Sequence, residues 1–185
     1  MTDRDEEEFG FAPEHDMPIP YRDRIRDYYQ ALGYGAPYRW AHYAEVPFTP
    51  LKKPLADSRI GLITTAAPYQ PGRGDQGPGA PYNAAAKFYR VYSGDSAADH
   101  DLRISHIGYD RAHTTAEDQG TWFPLPALRH LAAPGNPDRR IGEVAPRFHG
   151  APTNRSHRTT LERDCPDLLA RVREDKVDAV LLVAV

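Results

Sequence analysis

Two short apolar runs constrain the fold of this chain most strongly. The segments "RIGLITTAA" (Arg59–Ala67) and "VDAVLLVAV" (Val177–Val185) are rich in aliphatic and β-branched residues. Continuous apolar runs of this length are typical of strands that are covered on both faces. The segment "TTLERDCPDLLARVRED" (Thr159–Asp175) has a helical pattern and directly precedes the second run. The sequence therefore predicts parallel strands that are joined by a helix.

The rest of the chain predicts further elements of the same fold. We expect strands at Lys87–Asp95, Asp101–Gly108 and Arg140–Pro146, and a short helix at Pro124–Ala132. This order predicts an α/β fold with a mainly parallel, three-layer, Rossmann-like sheet that has helices on both faces and is incomplete at its C-terminus. In the last helix Asp164 is expected to cap a first turn containing Pro166, and the positions expected to be buried are Leu161, Leu168, Leu169 and Val172.

The N-terminal third differs in character from the region that follows it. Residues 1–20 are acidic and predict a flexible arm. Residues 21–58 predict a helix over Tyr21–Gly35, followed by a proline-rich loop. Apolar residues recur at helical spacing in that helix and are expected to pack, namely Ile25, Tyr28, Tyr29 and Leu32. Residues 59–185 then form the α/β domain, which we expect to be the N-terminal part of a longer domain.

Charge and cysteine content exclude several classes of function. The formal net charge is -3, which gives no electrostatic case for a nucleic-acid partner. A single cysteine, Cys165, excludes an internal disulfide framework and is typical of a reducing cytosol. The acidic N-terminus lacks the pattern of a signal peptide, and no apolar run approaches the roughly 20 residues of a membrane helix. We therefore expect a cytoplasmic protein without a membrane partner.

The loop after the third expected strand holds the densest group of chemically active side chains. In such sheets ligands bind at the carboxyl ends of the strands. Ser105, His106, Asp110 and His113 follow one another within "SHIGYDRAH". His106 and Asp110 are candidates for general acid/base chemistry, because His titrates near neutral pH and Asp can fix its tautomer. With His113 they could instead bind zinc or iron, or the loop could be purely structural.

Two other loops contribute weaker candidates. The segment "PYQPGRGDQGPGAP" matches no phosphate-binding motif and is either a loop over a substrate or a plain connector. In "EVAPRFHG", Arg147 could bind a carboxylate in bidentate fashion and His149 could act as an acid/base group, or both could be structural. Cys165 is expected to be structural rather than nucleophilic.

Several of these segments, in this order, resemble the selenoprotein B family of glycine, sarcosine, betaine and D-proline reductases, and especially its proline reductase branch. The resemblance runs from about Arg59 to Val185. It rests on "RIGLITTAA", "GDQ", "DLRISHIGYDRAHTTAEDQGTWFPLPALRHL", "RIGEVAPRFHG" and "VDAVLLVAV". Its most specific pieces are Ser105-His106 with Tyr109-Asp110, Phe123-Pro124-Leu125, Ala145-Pro146-Arg147 and the terminal strand.

The resemblance implies a redox residue directly after Val185. In that family the matching strand is followed by selenocysteine or cysteine, and the selenocysteine codon UGA reads as a stop in ordinary gene prediction. We therefore expect this chain to be truncated at its redox position, with no other cofactor and no metal. The implied reaction is reductive cleavage of a C–N or related carbon–heteroatom bond, and a thioredoxin-like dithiol would restore the enzyme. Relatives hold their substrate on a pyruvoyl group of a partner subunit, and nothing in this chain supplies one.

The same resemblance implies roles for six residues. His106 and Asp110 would protonate the leaving group or orient the substrate, with His149 as a further acid/base candidate. Arg147 would bind a substrate carboxylate. Asp75 and Ser105 would also contribute to substrate binding, Asp75 by ordering the first loop over the site. Two alternatives remain open, a metal-dependent lyase or hydrolase that uses His106, Asp110 and His113, and a non-catalytic α/β subunit that binds partners or copies of itself.

Overall fold

The computed structural model describes residues 18, 20–35, 42–104, 113–153 and 156–184. The chain divides into two compact units, Met1–Phe48 and Thr49–Val185. The division falls between Phe48 and Thr49, so the proline-rich loop is divided between the two units. Within the first unit, helix α1 spans Tyr21–Ala31 and Leu32 follows as its C-cap. The helix confirms the sequence pattern, but its apolar side is not buried as we expected, since none of its residues is buried.

A five-stranded, mainly parallel sheet forms the centre of the second unit. Strand β1 (Arg59–Thr64) pairs in parallel with β5 (Glu143–Val144), with β6 (Arg147–Gly150) and with β7 (Ala179–Val183). Strand β3 (Tyr92–Asp95) pairs with β6 and is antiparallel to it. The protein is therefore a mixed α/β protein with a mainly parallel sheet and several helices.

Strand β1 lies between β6 and β7. Ile63 is in register with His149 of β6 and with Leu182 of β7, which requires the two strands to lie on opposite edges of β1. Strands β5 and β6 follow one another along the same edge of β1. Pro146 separates them because it has no N–H to donate to the ladder. The order across the sheet is thus β3, then β6 with β5, then β1, then β7.

A second, two-stranded sheet adjoins the carboxyl end of β1. It consists of β2 (Ala67–Pro68) and β4 (Leu102–Arg103), which are antiparallel. The sequence pattern predicted a longer strand over Asp101–Gly108 in the parallel sheet. A strand is present in that segment at Leu102–Arg103, but its place in the parallel sheet was wrong, because it belongs to this antiparallel pair. The strand expected over Lys87–Asp95 is also shorter, because Asn83 caps a 3-10 turn at Ala84–Ala86 and the paired strand begins only at Tyr92.

Three helical segments complete the second unit. Helix α2 spans Leu125–Ala132 with Pro126 in its first turn, as the sequence predicted. A turn of α-helix at His157–Thr159, α3, continues through a π-helical stretch at Thr160–Asp164 into α4, Cys165–Glu174. Pro166 lies in the first turn of α4 as expected, but the Asp164 side chain makes no capping hydrogen bond. The prediction that Leu161 and Leu169 are buried is wrong, because their side chains are 54% and 48% exposed.

The hydrophobic core lies between the central strands and α2. Phe123, Phe148, Leu62 and Leu125 are among its most deeply buried side chains, each at most 2% exposed. Phe148 packs edge-to-face on Phe123, with ring centroids 4.5 Å apart. The core therefore fixes β1 and β6 relative to the start of α2.

Strand β7 is much more exposed than an interior strand of a parallel sheet. Val180, Leu181 and Leu182 are 41%, 40% and 64% exposed. Among the described residues β7 pairs only with β1, so its outer edge is open. The expectation that "VDAVLLVAV" forms a parallel strand is confirmed at Ala179–Val183. The described residues do not cover both faces of this strand, as we had expected them to do.

Candidate functional site

The order of the strands reverses at β1, which marks a place where such sheets bind ligands. From β1 the chain builds β5 and β6 on one edge and then crosses through α3 and α4 to place β7 on the other edge. Ligands of open α/β sheets bind outside the carboxyl ends of the strands at such a reversal. The candidate site is therefore the region beyond Thr64, Gly150 and Val183.

Hydrogen bonds hold the carboxyl end of β1 in a fixed conformation. The Thr64 hydroxyl donates to the carbonyl of Trp122 at 2.7 Å and accepts from the Ala66 N–H at 3.1 Å. The Trp122 indole N–H donates to the Leu102 carbonyl at 3.0 Å. Burial raises the pKa of Tyr92, whose protonated hydroxyl donates to the Ala66 carbonyl at 2.8 Å. The backbone that leaves the sheet here is consequently anchored on several sides.

The glycine- and proline-rich loop after β2 is fastened by two amide side chains. The Gln76 side chain accepts from the Gln70 N–H at 3.0 Å and donates to the Gln70 carbonyl at 2.8 Å. The Asn83 amide donates to the Arg73 carbonyl at 2.6 Å. Asp75 accepts from the Gly77 N–H at 2.9 Å, which forms a local turn. The loop thus has a defined conformation rather than a phosphate cradle.

A cavity of about 190 Å³ lies between this loop and β4. Its walls include Gln76, Arg103, Ile104, Glu117 and Trp122. The Arg103 guanidinium is paired with the Asp101 carboxylate at 2.5 and 2.9 Å, and this hydrogen bonding raises its pKa. Ile104, the last described residue before Ser105, forms part of the wall.

Three of the predicted site residues, Ser105, His106 and Asp110, lie outside the described residues. His113 is described and exposed. Across the described part of the chain there is no group of three or more His, Cys, Asp or Glu residues that could hold a metal ion. The acid/base and metal-binding predictions for this segment stay predictions.

Arg147 makes ion pairs within the chain. Its guanidinium donates to Asp175 at 2.7 and 2.9 Å and to Glu174 at 2.8 Å, and these hydrogen bonds raise its pKa. Arg147 is the first residue of β6, so it lies at the amino edge of the sheet. The prediction that it binds a substrate carboxylate therefore applies only to a ligand that displaces Asp175 or reaches this edge.

His149 is buried inside β6, with 1% of its surface exposed. Its Nδ1 lies 2.8 Å from the Ser93 hydroxyl, which also accepts a hydrogen bond from Arg171 at 2.8 Å. The Ser93 hydroxyl can donate to Nδ1 or accept from it, depending on the tautomer of the imidazole. Nε2 lies 3.1 Å from the Asp175 carboxylate, although the angle there is not that of a hydrogen bond.

The electrostatics favour a neutral imidazole at this position. Burial lowers the pKa of His149, and the attraction of Asp175 opposes this effect only in part. The structure thus brings two predicted residues, Arg147 and His149, together around Asp175. It does not bring Asp75 to them, since Asp75 lines a separate small cavity with Arg103 and Asn83. Cys165 is exposed at the start of α4.

Lys87 is a buried charged residue that the sequence pattern did not single out. It is only 6% exposed, and its ammonium group donates to the Thr153 hydroxyl at 2.5 Å. Burial lowers its pKa. The sequence analysis placed Lys87 only at the start of an expected strand, and the only sequence signal was a lysine among small and aromatic residues.

Comparison with known proteins identifies one curated relative, D-proline reductase subunit gamma of Acetoanaerobium sticklandii. The chain is 30% identical to it over 138 residues, which cover 74% of this chain and 52% of that protein. This chain therefore spans about half the length of the curated relative that it matches. The chain is thus similar to part of a proline reductase subunit.

The other comparisons add no further relatives. No protein-family model matches the sequence, and no solved structure matches it significantly. No helix among the described residues is long and apolar enough to cross a membrane.

Proposed function

We propose that this chain is part of a selenol- or thiol-dependent reductase subunit that cleaves a C–N or related carbon–heteroatom bond in a small substrate. The observation that carries the proposal is the position of β7. It lies beside β1 at the reversal of strand order, so the chain after Val183 leads to the edge where ligands of such sheets bind. The similarity to a D-proline reductase subunit supports the same reading.

In this proposal the redox residue, selenocysteine or cysteine, follows Val185 and a second thiol follows it. The exposed side chains of Val180, Leu181 and Leu182 support a further element against β7. The greater length of the relative supports the same conclusion. A helix starting after the redox residue would stabilise its anion through the N–H groups and dipole of the first turn.

The proposed reaction proceeds in three steps. The selenolate or thiolate attacks the substrate carbon, the C–N bond breaks, and the nitrogen leaves with the bonding pair and takes a proton. The neighbouring thiolate then attacks selenium or sulfur, and the carbon leaves with its electron pair and is protonated. The resulting selenide–sulfide or disulfide is finally reduced by a thioredoxin-like dithiol, which itself becomes a disulfide.

The predicted residues take the following proposed roles. His106 and Asp110 protonate the leaving group or orient the substrate, and Ser105 lies beside them. Asp75 acts through the conformation of its loop, where it holds the turn at Gly77. For Arg147 and His149, the proposed contacts with substrate require a change in their present pairing with Asp175. A partner subunit completes the assembly, and we propose that it works in the cytoplasm.

Two measurements test this function. The first is the nucleotide sequence after the Val185 codon: the proposal requires an in-frame UGA or a cysteine codon there, and UAA or UAG would contradict it. The second compares the 185-residue chain with the extended chain carrying Cys at position 186, using dithiol-dependent cleavage of D-proline and of other small amines. Only the extended chain should be active, and equal activity of both forms would overturn the proposal.

A non-catalytic α/β subunit is the second candidate, and the open apolar edge of β7 favours it. It predicts that the chain binds a partner polypeptide along Val180–Leu182 and that the extended chain has no redox activity. The comparison of the two chains therefore also separates these candidates.

A further inference from the structure

A turn of the glycine- and proline-rich loop forms one wall of the cavity of about 190 Å³. The Ala80 N–H donates to the Gly77 carbonyl at 3.1 Å, and Pro78 and Gly79 lie between them. Gly79 has a φ of 71°, which after a proline is typical of a type II turn. The Gln76 side chain, directly before this turn, is used in hydrogen bonds to the loop backbone. This wall therefore has a defined shape before any ligand enters.

The opposite wall consists of β4 and the turn that precedes Trp122. The Gln119 side chain accepts from the Leu102 N–H at 3.0 Å and donates to the His100 carbonyl at 2.8 Å. The Trp122 indole N–H donates to the Leu102 carbonyl, and the Trp122 carbonyl accepts from the Thr64 hydroxyl. Because these polar groups are in use, Trp122 offers the cavity mainly the apolar surface of its ring.

The charges of the cavity wall do not balance. Its charged residues are Asp101, Arg103 and Glu117. Arg103 and Asp101 are joined by two hydrogen bonds, so their charges cancel. Glu117 is exposed, and the part of the chain that the structure describes gives its side chain no hydrogen bond and no ion pair. The described wall therefore carries one net negative charge, on Glu117.

The backbone directly before Glu117 is strained. Ala116, which also lines the cavity, has a φ of 57°, in the left-handed region that alanine rarely adopts. Its side chain packs against the hydrophobic core, and this packing holds the residue in place. Strained residues of this kind cluster at sites that bind ligands. The strain therefore supports a role for the position of Glu117.

A small cavity with an apolar wall and one unmatched carboxylate is complementary to a small organic cation. The carboxylate can accept charge-assisted hydrogen bonds from an ammonium group, and an indole ring attracts the same cation. Ile104 and Trp122 can cover the hydrocarbon part of such a molecule. An anion would be repelled by Glu117, and a divalent metal ion needs more oxygen ligands than one carboxylate supplies. Drug-sized ligands occupy roughly 300–1,000 Å³, so a smaller molecule fits here.

We propose that this cavity binds a small protonated amine, with Glu117 accepting its N–H groups and Trp122 beside its hydrocarbon part. The binding itself does not depend on the reductase function. The assignment of this amine as the compound whose C–N bond is cleaved rests on the proposed reductase function. In that case Glu117 determines specificity, because it favours a charged nitrogen over a neutral group of the same size.

The test measures the binding of pyrrolidinium to the 185-residue chain. Pyrrolidine is protonated at neutral pH, as alkyl amines are, whereas tetrahydrofuran has a ring of the same size and no charge. Broadening of the ligand ring protons in NMR spectra, at constant ionic strength in sodium chloride, gives each dissociation constant. Pyrrolidinium should bind saturably, tetrahydrofuran about tenfold more weakly, and the anion cyclopentanecarboxylate not at all.

A substitution tests whether Glu117 is the acceptor. Glu117→Gln keeps the size of the side chain and removes its charge, so it should raise the dissociation constant of pyrrolidinium about tenfold and leave that of tetrahydrofuran unchanged. Glu162→Gln is the matched control, because it removes the same charge from a side chain that is 67% exposed and outside the cavity. It should leave both constants unchanged.

Three results would overturn the proposal. They are no binding of pyrrolidinium to the natural chain, equal binding of pyrrolidinium and tetrahydrofuran, and equal effects of Glu117→Gln and Glu162→Gln. Both substituted side chains are exposed, and equal melting temperatures of the variants and the natural chain check that the fold is retained.

The two proposals fail separately. Binding of pyrrolidinium that depends on Glu117, together with an inactive extended chain, would retain the amine site and refute the reductase function. An active extended chain that does not bind pyrrolidinium would refute the amine site and retain the reductase function.

Discussion

The imidazole Nε2 of His149 lies 3.1 Å from the carboxylate of Asp175, and both side chains are almost completely buried. The Asp175 carboxylate accepts hydrogen bonds from Nε and Nη2 of Arg147, and its backbone carbonyl accepts one from Arg59 at 2.8 Å. One residue at the end of α4 thus joins β6, β1 and the turn into β7. Through these contacts Asp175 fixes the C-terminal end of α4 against the amino ends of β1 and β6.

Replacement of Asp175 should be strongly destabilising. Asp175→Asn leaves Arg147 with a weaker acceptor and removes the charge near His149, so we expect the free energy of unfolding to fall by about 2–3 kcal/mol. Glu174→Gln is the matched control, because Glu174 pairs with the same guanidinium but its side chain is 70% exposed. Its effect should be below about 1 kcal/mol in urea unfolding, and equal losses would contradict a central role for Asp175.

Stability should decrease on mild acidification because of His149. Burial lowers the pKa of this imidazole, so the unfolded chain binds more protons than the folded chain below the usual histidine pKa of about 6.5. Stability therefore rises with pH across this window and is lost as the pH falls from 7 through the lowered pKa. Thermal unfolding between pH 7 and pH 5 should show a steeper decrease for the natural chain than for His149→Gln. Parallel curves would exclude His149 as the cause.

Gly150 should tolerate no side chain. A Cβ atom built on it would lie 1.8 Å from the ring of Tyr92, its partner on β3. Gly150→Ala must therefore displace the ring or separate β3 from β6, and we expect a loss of about 2 kcal/mol or more in urea unfolding. In Gly77→Ala the closest atom is an Asp75 oxygen at 3.3 Å, so this variant should stay near the natural stability. A stable Gly150→Ala variant would mean that the two strands are not packed this closely.

The open edge of β7 should cause self-association of the isolated chain. Exposed apolar strands pair readily with other polypeptides. Leu182, which is 64% exposed, is the most accessible apolar side chain of β7, so Leu182→Glu should reduce light scattering at high concentration with little change in melting temperature. Val46→Glu changes an apolar residue that is 79% exposed in the other unit and should not reduce scattering. Equal effects of both changes would point to general solubility rather than to β7.

The local apolar runs explain which parts of the fold the sequence could predict. Strands β1 and β7 and helix α2 were predicted because their patterns are continuous and their neighbours in the chain supply clear ends. The strand at Arg147–Gly150 was missed because Pro146 interrupts the run, although the chain resumes pairing with β1 immediately afterwards. The burial of α4 was misjudged because helical spacing shows which residues share a face and does not show what covers that face.

The sequence predicted less of the candidate site, because the partners of its side chains are distant in the sequence. Arg147 and His149 were expected in a loop at the carboxyl edge, but the structure puts them in the strand, and their partner Asp175 lies far along the chain. Lys87 gave no signal, because its burial depends on Thr153 and on a turn that is visible only in three dimensions. Spacing along a chain identifies side chains with suitable chemistry, whereas their partners depend on the tertiary fold.

Trp122, whose indole N–H donates to the Leu102 carbonyl, can serve as an intrinsic fluorescent probe. The sequence has only two tryptophans, Trp40 and Trp122, and Trp122 is 4% exposed in the wall of the cavity between β4 and the glycine-rich loop. Replacing Trp40 with Phe would leave one indole whose emission reports on the polarity of that cavity. Fluorescence would then follow the entry of a ligand into this cavity without any added label.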